Sequence, residues 1–244
     1  MTDFSVFVMT GGDTDKFLQG QITADMGKIG TAFVPTAICN LKGRVQFGLW
    51  VRRVSDNADD GVQIVISSDL AEDLAKHIKK FGAFSKITLS AAKPIYPAII
   101  DGVASFDTTD HDQTAQWQAL SIATGNYWIT KDTSELYQPQ ELRLHQRDGV
   151  AYDKGCYLGQ EIVARLYFKA SPKAYLHRVA SADVDFFAHH AEESGLAVVN
   201  SISSLDGSEA LVVARPDTIE TLGATQSLQN LPLPDALQAD VGRV

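Results

Sequence analysis

One of the chain's two cysteines, Cys156, lies in the stretch DKGCYLGQEIVARLYFK at 153–169, and these residue types allow thiol chemistry first. Lys154 stands two positions before it, with Gly155 between them. A glycine there lets the backbone take conformations closed to other residues, or lets another group approach closely. From Leu158 to Leu166 the residues favour helix, apart from Gly159, so Cys156 is expected just ahead of a helix N-terminus. Free N–H groups and the positive end of the helix dipole favour a thiolate at such a place. Lys154 adds charge if its side chain points the same way, and Arg165 and Lys169 could add more. The same residues also read as a soft-metal ligand or a buried structural thiol, since unpaired cysteine is among the most buried residue types. Gln160 and Glu161 could bond a ligand or simply solvate a first helical turn. Tyr157 reads as packing. Cys39, in AICNLKGRV, ends an apolar strand and reads as structural.

Other chemistries find little support. Two cysteines in 244 residues make no disulfide scaffold, and their wide separation is no metal-ligand spacing. His189 and His190 are adjacent, so on a regular element they point in different directions. No metal site is expected. TGGDTDKFLQG lacks the GxGxxG spacing and has no lysine-serine pair after its glycines, and neither GxSxG nor HExxH occurs. The net charge of −9 and pI near 5.0 repel phosphate backbones, so no direct nucleic-acid partner is expected. No apolar run approaches the roughly 20 residues that span a bilayer. The N-terminus has no basic stretch of the signal-peptide kind. A soluble, cytoplasmic protein without a membrane partner is expected.

The elements that must position the cysteine follow from periodicity. FSVFVM at 4–9 reads as a strand, and Asp13 or Thr14 can cap a short helix that Gly20 closes. TAFVPTAICN, RVQFGLWVRR and GVQIVISS read as three strands, the first two joined around NLKG. Leu70, Leu74, Ile78 and Phe81 recur at helical spacing over 69–81, and KITLS returns as a strand. This order predicts an α+β domain with an antiparallel sheet. Residues 91–116 are weakly patterned, with DTTDHDQTAQ as a loop. SELYQPQELRLHQRDG at 134–149 predicts a helix, with Pro139 near its first turn and Gly149 after its end. After SPK the chain turns β-like in YLHRVA, GLAVVNSIS and EALVVAR, which fits a small barrel or sandwich, and LPLPDA reads as an extended tail. The divisions fall at 1–90, 91–172 and 173–244.

KGCYLGQE at 154–161, continued by IVAR, resembles the signature of the YgfZ family of folate-binding proteins, relatives of the glycine-cleavage T-protein, an aminomethyltransferase. DKFLQGQITAD, CNLKGR, KKFGAFSKITL and WQALSIATG support the likeness and stand in the family's order. The resemblance implies a T-protein-like folate-binding body with antiparallel sheets, a shortened second α/β subdomain and a small C-terminal β-barrel. It implies tetrahydrofolate or a derivative as cofactor, in a channel between domains. It also implies iron–sulfur proteins or their assembly machinery as partners, in a role of cluster assembly or repair that indirectly supports tRNA modification. The family's cysteine falls at Cys156 and its lysine at Lys154, with Gly155, Tyr157 and Gly159 supporting the motif. Gln160, Glu161 and Arg165 stand as folate-binding candidates, with Phe4 and Trp117 as the aromatics that would meet the pterin.

Three departures qualify what is implied. Phe47 and Gly48 stand where the T-protein carries two acids, and neither can move a proton, so aminomethyl transfer is not expected. Ala123 replaces a glutamate that would bond the pterin, a loss worth about 1.5–3 kcal/mol. Residues 91–116 are short where longer relatives carry much of a subdomain. An accessory factor rather than an ordinary enzyme is the leading reading. A folate-dependent one-carbon transferase and a non-catalytic folate or protein binding module are the alternatives.

Overall fold

The structure is a computed structural model that describes residues 3–57, 60–225 and 228–241. Strand β1 (Phe4–Thr10) leads through a glycine turn into helix α1 (Thr14–Gln19), which Gly20 closes. Strands β2 (Val34–Cys39) and β3 (Val45–Arg53) form a hairpin around 40–44, where Asn40 Oδ1 accepts from the N–H groups of Lys42 and Arg44. Strand β4 (Val62–Ser67), helix α2 (Ala71–Phe81) and the two-residue strand β5 (Thr88–Leu89) follow. The apolar stripe of α2 buries Leu74 and Ile78, as the spacing requires.

Residues 91–116 are more ordered than their pattern indicates. Strands β6 (Lys93–Ile100) and β7 (Val103–Asp107) make a hairpin, and helix α3 (Thr114–Thr124) begins after a short loop. Pro94 and Pro97 inside β6 hide it, because proline argues against a strand interior. Both central residues of the turn, Asp101 and Gly102, have positive φ (51° and 76°), the geometry that favours Asp-Gly in tight hairpins. The hairpin joins the first sheet, whose order is β2-β3-β4-β1-β6-β7. β1 is its spine. One edge of β1 pairs with β4, and the other is shared by β6 at Phe4–Val6 and β5 at Met9–Thr10.

The helix expected over 134–149 does not form; turns and a 3-10 stretch at Leu144–Arg147 take its place. Arg143 and Asp148 hold left-handed φ of 55° and 58°, which breaks any helical run. Tertiary bonds replace the helical ladder. Glu135 N donates to Val45 O, Val45 N to Tyr137 O and Leu176 N to Glu141 O. The left-handed turn aims Arg143 at the C-terminal sheet, where it donates to Leu176 O and Ala239 O.

Helix α4 (Gln160–Lys169) precedes the β-rich end of the chain. That end comprises β8 (Tyr175–Ser181), α5 (Phe186–His189), β9 (Ala197–Ser204), β10 (Gly207–Ala214), α6 (Pro216–Ala224) and β11 (Gln229–Leu231). Its strands form a four-stranded antiparallel sheet in the order β11-β8-β10-β9. Both faces of β10 are covered. Leu211 and Val213 join the main core, while Ala210, Val212 and Ala214 pack with Phe186, Phe187 and Ile219 beneath the helices. The alternation of the strand thus divides the two cores. The LPLPDA stretch, expected as an extended tail, runs into a 3-10 turn at Asp235–Leu237 that buries Leu237.

Candidate functional site

Cys156 is exposed at the head of a loop, 153–159, that three separate stretches hold in place. The first is 20–24. Lys154 Nζ donates to Ile22 O (2.8 Å) and Ala24 O (2.7 Å), and Leu158 N donates to Gly20 O. That stretch is itself fixed, because Thr23 is fully buried and donates to Gly149 O at 2.6 Å while Thr23 N donates to Ala37 O. The second is the β2–β3 turn. Gly159, at φ 79°, lies against Asn40 O, the Cys39 side chain and Gly43, and Gly43 lies against Ile162. A bulge between Ile38 and Cys39 sets that edge. The third is Gln140, fully buried, whose Nε2 donates to Val163 O (2.6 Å) and Tyr152 OH. The stacked rings of Tyr152 and Tyr167, 3.8 Å apart, tie the far end of α4 to the chain before the loop.

Helix α4 begins at Gln160, with Gly159 as its left-handed N-cap residue. Cys156 therefore stands four residues before the first helical residue, in the loop rather than at the cap. Lys154 does not point freely at the thiol; its ammonium is spent on two carbonyls and lies 5.1 Å over the Tyr157 ring. Burial pulls its pKa down to about 8 against the attraction of Asp25. Tyr157 is buried beneath the loop, as packing, and burial pushes its hydroxyl well above the usual phenol range. Cys39 is fully buried and its thiol is pushed up to about 12, a structural thiol. Glu161 and Arg165 are exposed, Gln160 is half-buried, and a Cβ at Gly155 would meet nothing within 4 Å. Among the described residues, no group of three or more His, Cys, Asp and Glu side chains is placed to hold a metal.

The loop contributes to two clefts. Tyr152 and Asp153 help to line one of about 750 Å³, with Asp25, Lys28, His145, Tyr167 and Phe168 around it. Leu158 helps to line the other, of about 680 Å³, with Leu41, Lys42, Phe47, His77 and Phe81.

Phe4 and Trp117 are not at an opening. They are 2% and 0% exposed and lie in a closed aromatic cluster with Trp50, Phe106 and Trp128, with centroid separations of 5.0–6.2 Å. Phe4 sits on the central strand and Trp117 on the inner face of α3, so other rings already occupy their faces. In this structure both are core residues. Next to this cluster, Phe33 and Trp50 do reach a cavity. They line a third cleft of about 610 Å³ with Arg52, Thr124, Arg147 and the β6–β7 turn. Nothing in local sequence marks them, because the cleft is assembled from five segments. Phe47 is buried against the His77 ring and Gly48 packs on Ile129, so no proton carrier occupies those two positions.

The architecture is that of the glycine-cleavage T-protein. Aminomethyltransferase T of Bartonella henselae superimposes with a TM-score of 0.63 at 11% identity, over 87% of this chain and 76% of that one. In sequence the chain is similar to curated proteins named tRNA-modifying protein YgfZ. The one from Enterobacter sp. (strain 638) is 26% identical over 74% of this chain and 70% of its own length. That of Klebsiella pneumoniae (strain 342) is 27% identical over 72% and 69%. That of Colwellia psychrerythraea is 24% identical over 91% and 90%. No protein-family model matches the chain. The likeness to the YgfZ group that KGCYLGQE carries thus extends over most of the chain, on the T-protein fold.

Proposed function

We propose that this protein is a folate-binding accessory factor for iron–sulfur cluster assembly or repair, supporting tRNA modification indirectly, with Cys156 as its working thiol. One observation carries the reading. The only exposed cysteine among the described residues stands on a loop that three otherwise distant stretches converge to hold. A structural cysteine needs burial, as Cys39 has; an exposed thiol on a rigid mount suits transfer to or from a partner. The names of the curated relatives support the link to tRNA modification. Folate is supported by the T-protein fold and by the third cleft, whose volume suits a small molecule and whose wall holds Phe33 and Trp50. Position 123 offers the pterin no carboxylate, so the fit rests on the aromatic wall and on the basic groups around it. Aminomethyl transfer is not favoured, since Phe47 and Gly48 can neither accept nor donate a proton.

The test is complementation of a bacterium that lacks its own relative, read as a cluster-dependent tRNA-thiolating activity. Wild-type protein restores it and Cys156→Ser does not, at equal soluble levels. Equal restoration by both would make the thiol dispensable and leave a binding module.

A further inference from the structure

The third cleft contains a cation without a counter-ion. Arg147 closes the 3-10 stretch after Leu144 and lines the cleft. One amino group donates to Asn126 Oδ1, and the guanidinium carbon lies 5.4 Å over the Tyr127 ring. Among the described residues, no carboxylate forms an ion pair with it. Asn126 is fully committed. It follows the left-handed C-cap Gly125 of α3, donates to Ser121 Oγ, and accepts from Trp50 Nε1 at 3.2 Å as well as from Arg147. Its role is to aim Arg147. A second guanidinium, Arg52, lines the same cleft, 4.4 Å over the Phe33 ring and bonded through Nε to Gln63.

A desolvated charge without a partner is costly, and a carboxylate or phosphate matched to the guanidinium fork relieves that cost. Burial holds both arginines below their ordinary pKa range; at Arg147 only Tyr127 opposes it, and at Arg52 Asp107 does. The same cleft carries apolar surface without cover. Ile100 and Val103 flank the Asp-Gly turn, 44% and 64% exposed, and both line the cleft. With Phe33 and Trp50 they offer a wall for a flat ring.

We infer that this cleft is a small-molecule site for a flat ring carrying a carboxylate or phosphate, with Arg147 taking the anionic group and Asn126 positioning it. Where the ligand is a folate, the inference rests on the reading above and places the carboxylate tail at Arg147.

Binding to the full chain is measured by tryptophan fluorescence and calorimetry with four probes. These are tetrahydrofolate, p-aminobenzoylglutamate, phenyl phosphate and a tetrahydropterin without a tail. At least one anionic ring compound binds, and Arg147→Met weakens it about thirtyfold or more, the loss expected on truncating one side of a desolvated charge pair. Binding of the uncharged pterin, where present, is not changed by that substitution. p-Aminobenzoylglutamate against phenyl phosphate tells a carboxylate ligand from a phosphate one. If phenyl phosphate binds through Arg147 while tetrahydrofolate does not bind, the folate reading fails and this site stands. Unchanged affinity in Arg147→Met, or no anionic ring compound binding wild type, overturns the site. Should Arg147→Met fail to fold, Val103→Glu decides: the site requires the anionic probes to lose more affinity than the uncharged pterin, and equal losses overturn it.

Discussion

Lys154 does not take the role its position invites. Beside a cysteine, a lysine reads as a charge that lowers the thiol pKa. Here its ammonium bonds two carbonyls some 130 positions back in the chain, at Ile22 and Ala24, and covers the Tyr157 ring. It is a clamp that mounts the loop. Lys154→Met removes the donor from both carbonyls and is expected to cost about 1–2 kcal/mol, reduced from the full value of charged bonds because the group is half-buried. In a chain of this length that lowers Tm by about 3–6 °C. Scanning calorimetry checks it, and labelling of Cys156 by a neutral maleimide is expected to change in rate as its mount loosens. An unchanged Tm with unchanged labelling would remove the clamp role. At this scale type and spacing single out Cys156 as a candidate and read Cys39 as structural, and the structure exposes the first and buries the second. Directions were not legible. Lys154 turns inward, and Phe4 and Trp117 turn into the core, because partners far along the chain decide where each side chain goes.

At the scale of elements, the two glycines of the motif do different work. Gly159 is left-handed, and a Cβ there would overlap Asn40 O and crowd Cys39 and Gly43. Gly155 has no neighbour within 4 Å of that position. Gly159→Ala is therefore expected to destabilise by about 2–4 kcal/mol, combining backbone strain with lost packing of the loop on the β2–β3 turn. Gly155→Ala is expected to stay within about 0.5 kcal/mol. Urea unfolding of the two variants measures both, and equal effects would refute the packing argument. The same contact explains why CNLKGR and KGCYLGQE belong together: they are the two sides of one interface. Strands and helices with clean periodicity, such as β1, β3 and α2, were legible in advance. The hairpin β6–β7 was not, because Pro94 and Pro97 mask its alternation. The segment 134–149 misled for the opposite reason. Its composition is helical, but the bonds to β3 and β8 stabilise it more than a helix would, and Arg143 in a left-handed turn fixes the outcome.

Across the whole molecule, three histidines tie its parts together in the neutral form. His77 of α2 bonds Gln21 at 2.8 Å and packs on Phe47 and Phe81. His145 lies against Tyr167 of α4, and His177 of β8 stacks on Tyr175. Burial pulls each to a pKa of about 4, helped by Lys80 at His77 and by Arg143 at the other two. The unfolded chain takes up these protons near pH 6.5, whereas the folded chain resists them down to about 4. Between those values the unfolded state binds more protons, so stability falls as pH falls. Each fully coupled group contributes a slope of about 1.4 kcal/mol per pH unit; half-buried rings give less, so about 1–3 kcal/mol per unit is expected for the three together. Glu141 works the other way, since burial raises its pKa and its proton is held more tightly in the folded state. One opposed carboxyl does not cancel three imidazoles. Calorimetric Tm is therefore expected to be level from pH 8 to 7 and to drop steeply between 6.5 and 4.5. His145→Gln combined with His177→Gln is expected to flatten that drop, because both groups lie at the join between the body and the C-terminal sheet, around Arg143. A wild-type Tm that holds constant down to pH 4.5 would mean that these rings admit water and protons in the folded state, and that the join is looser than its packing indicates.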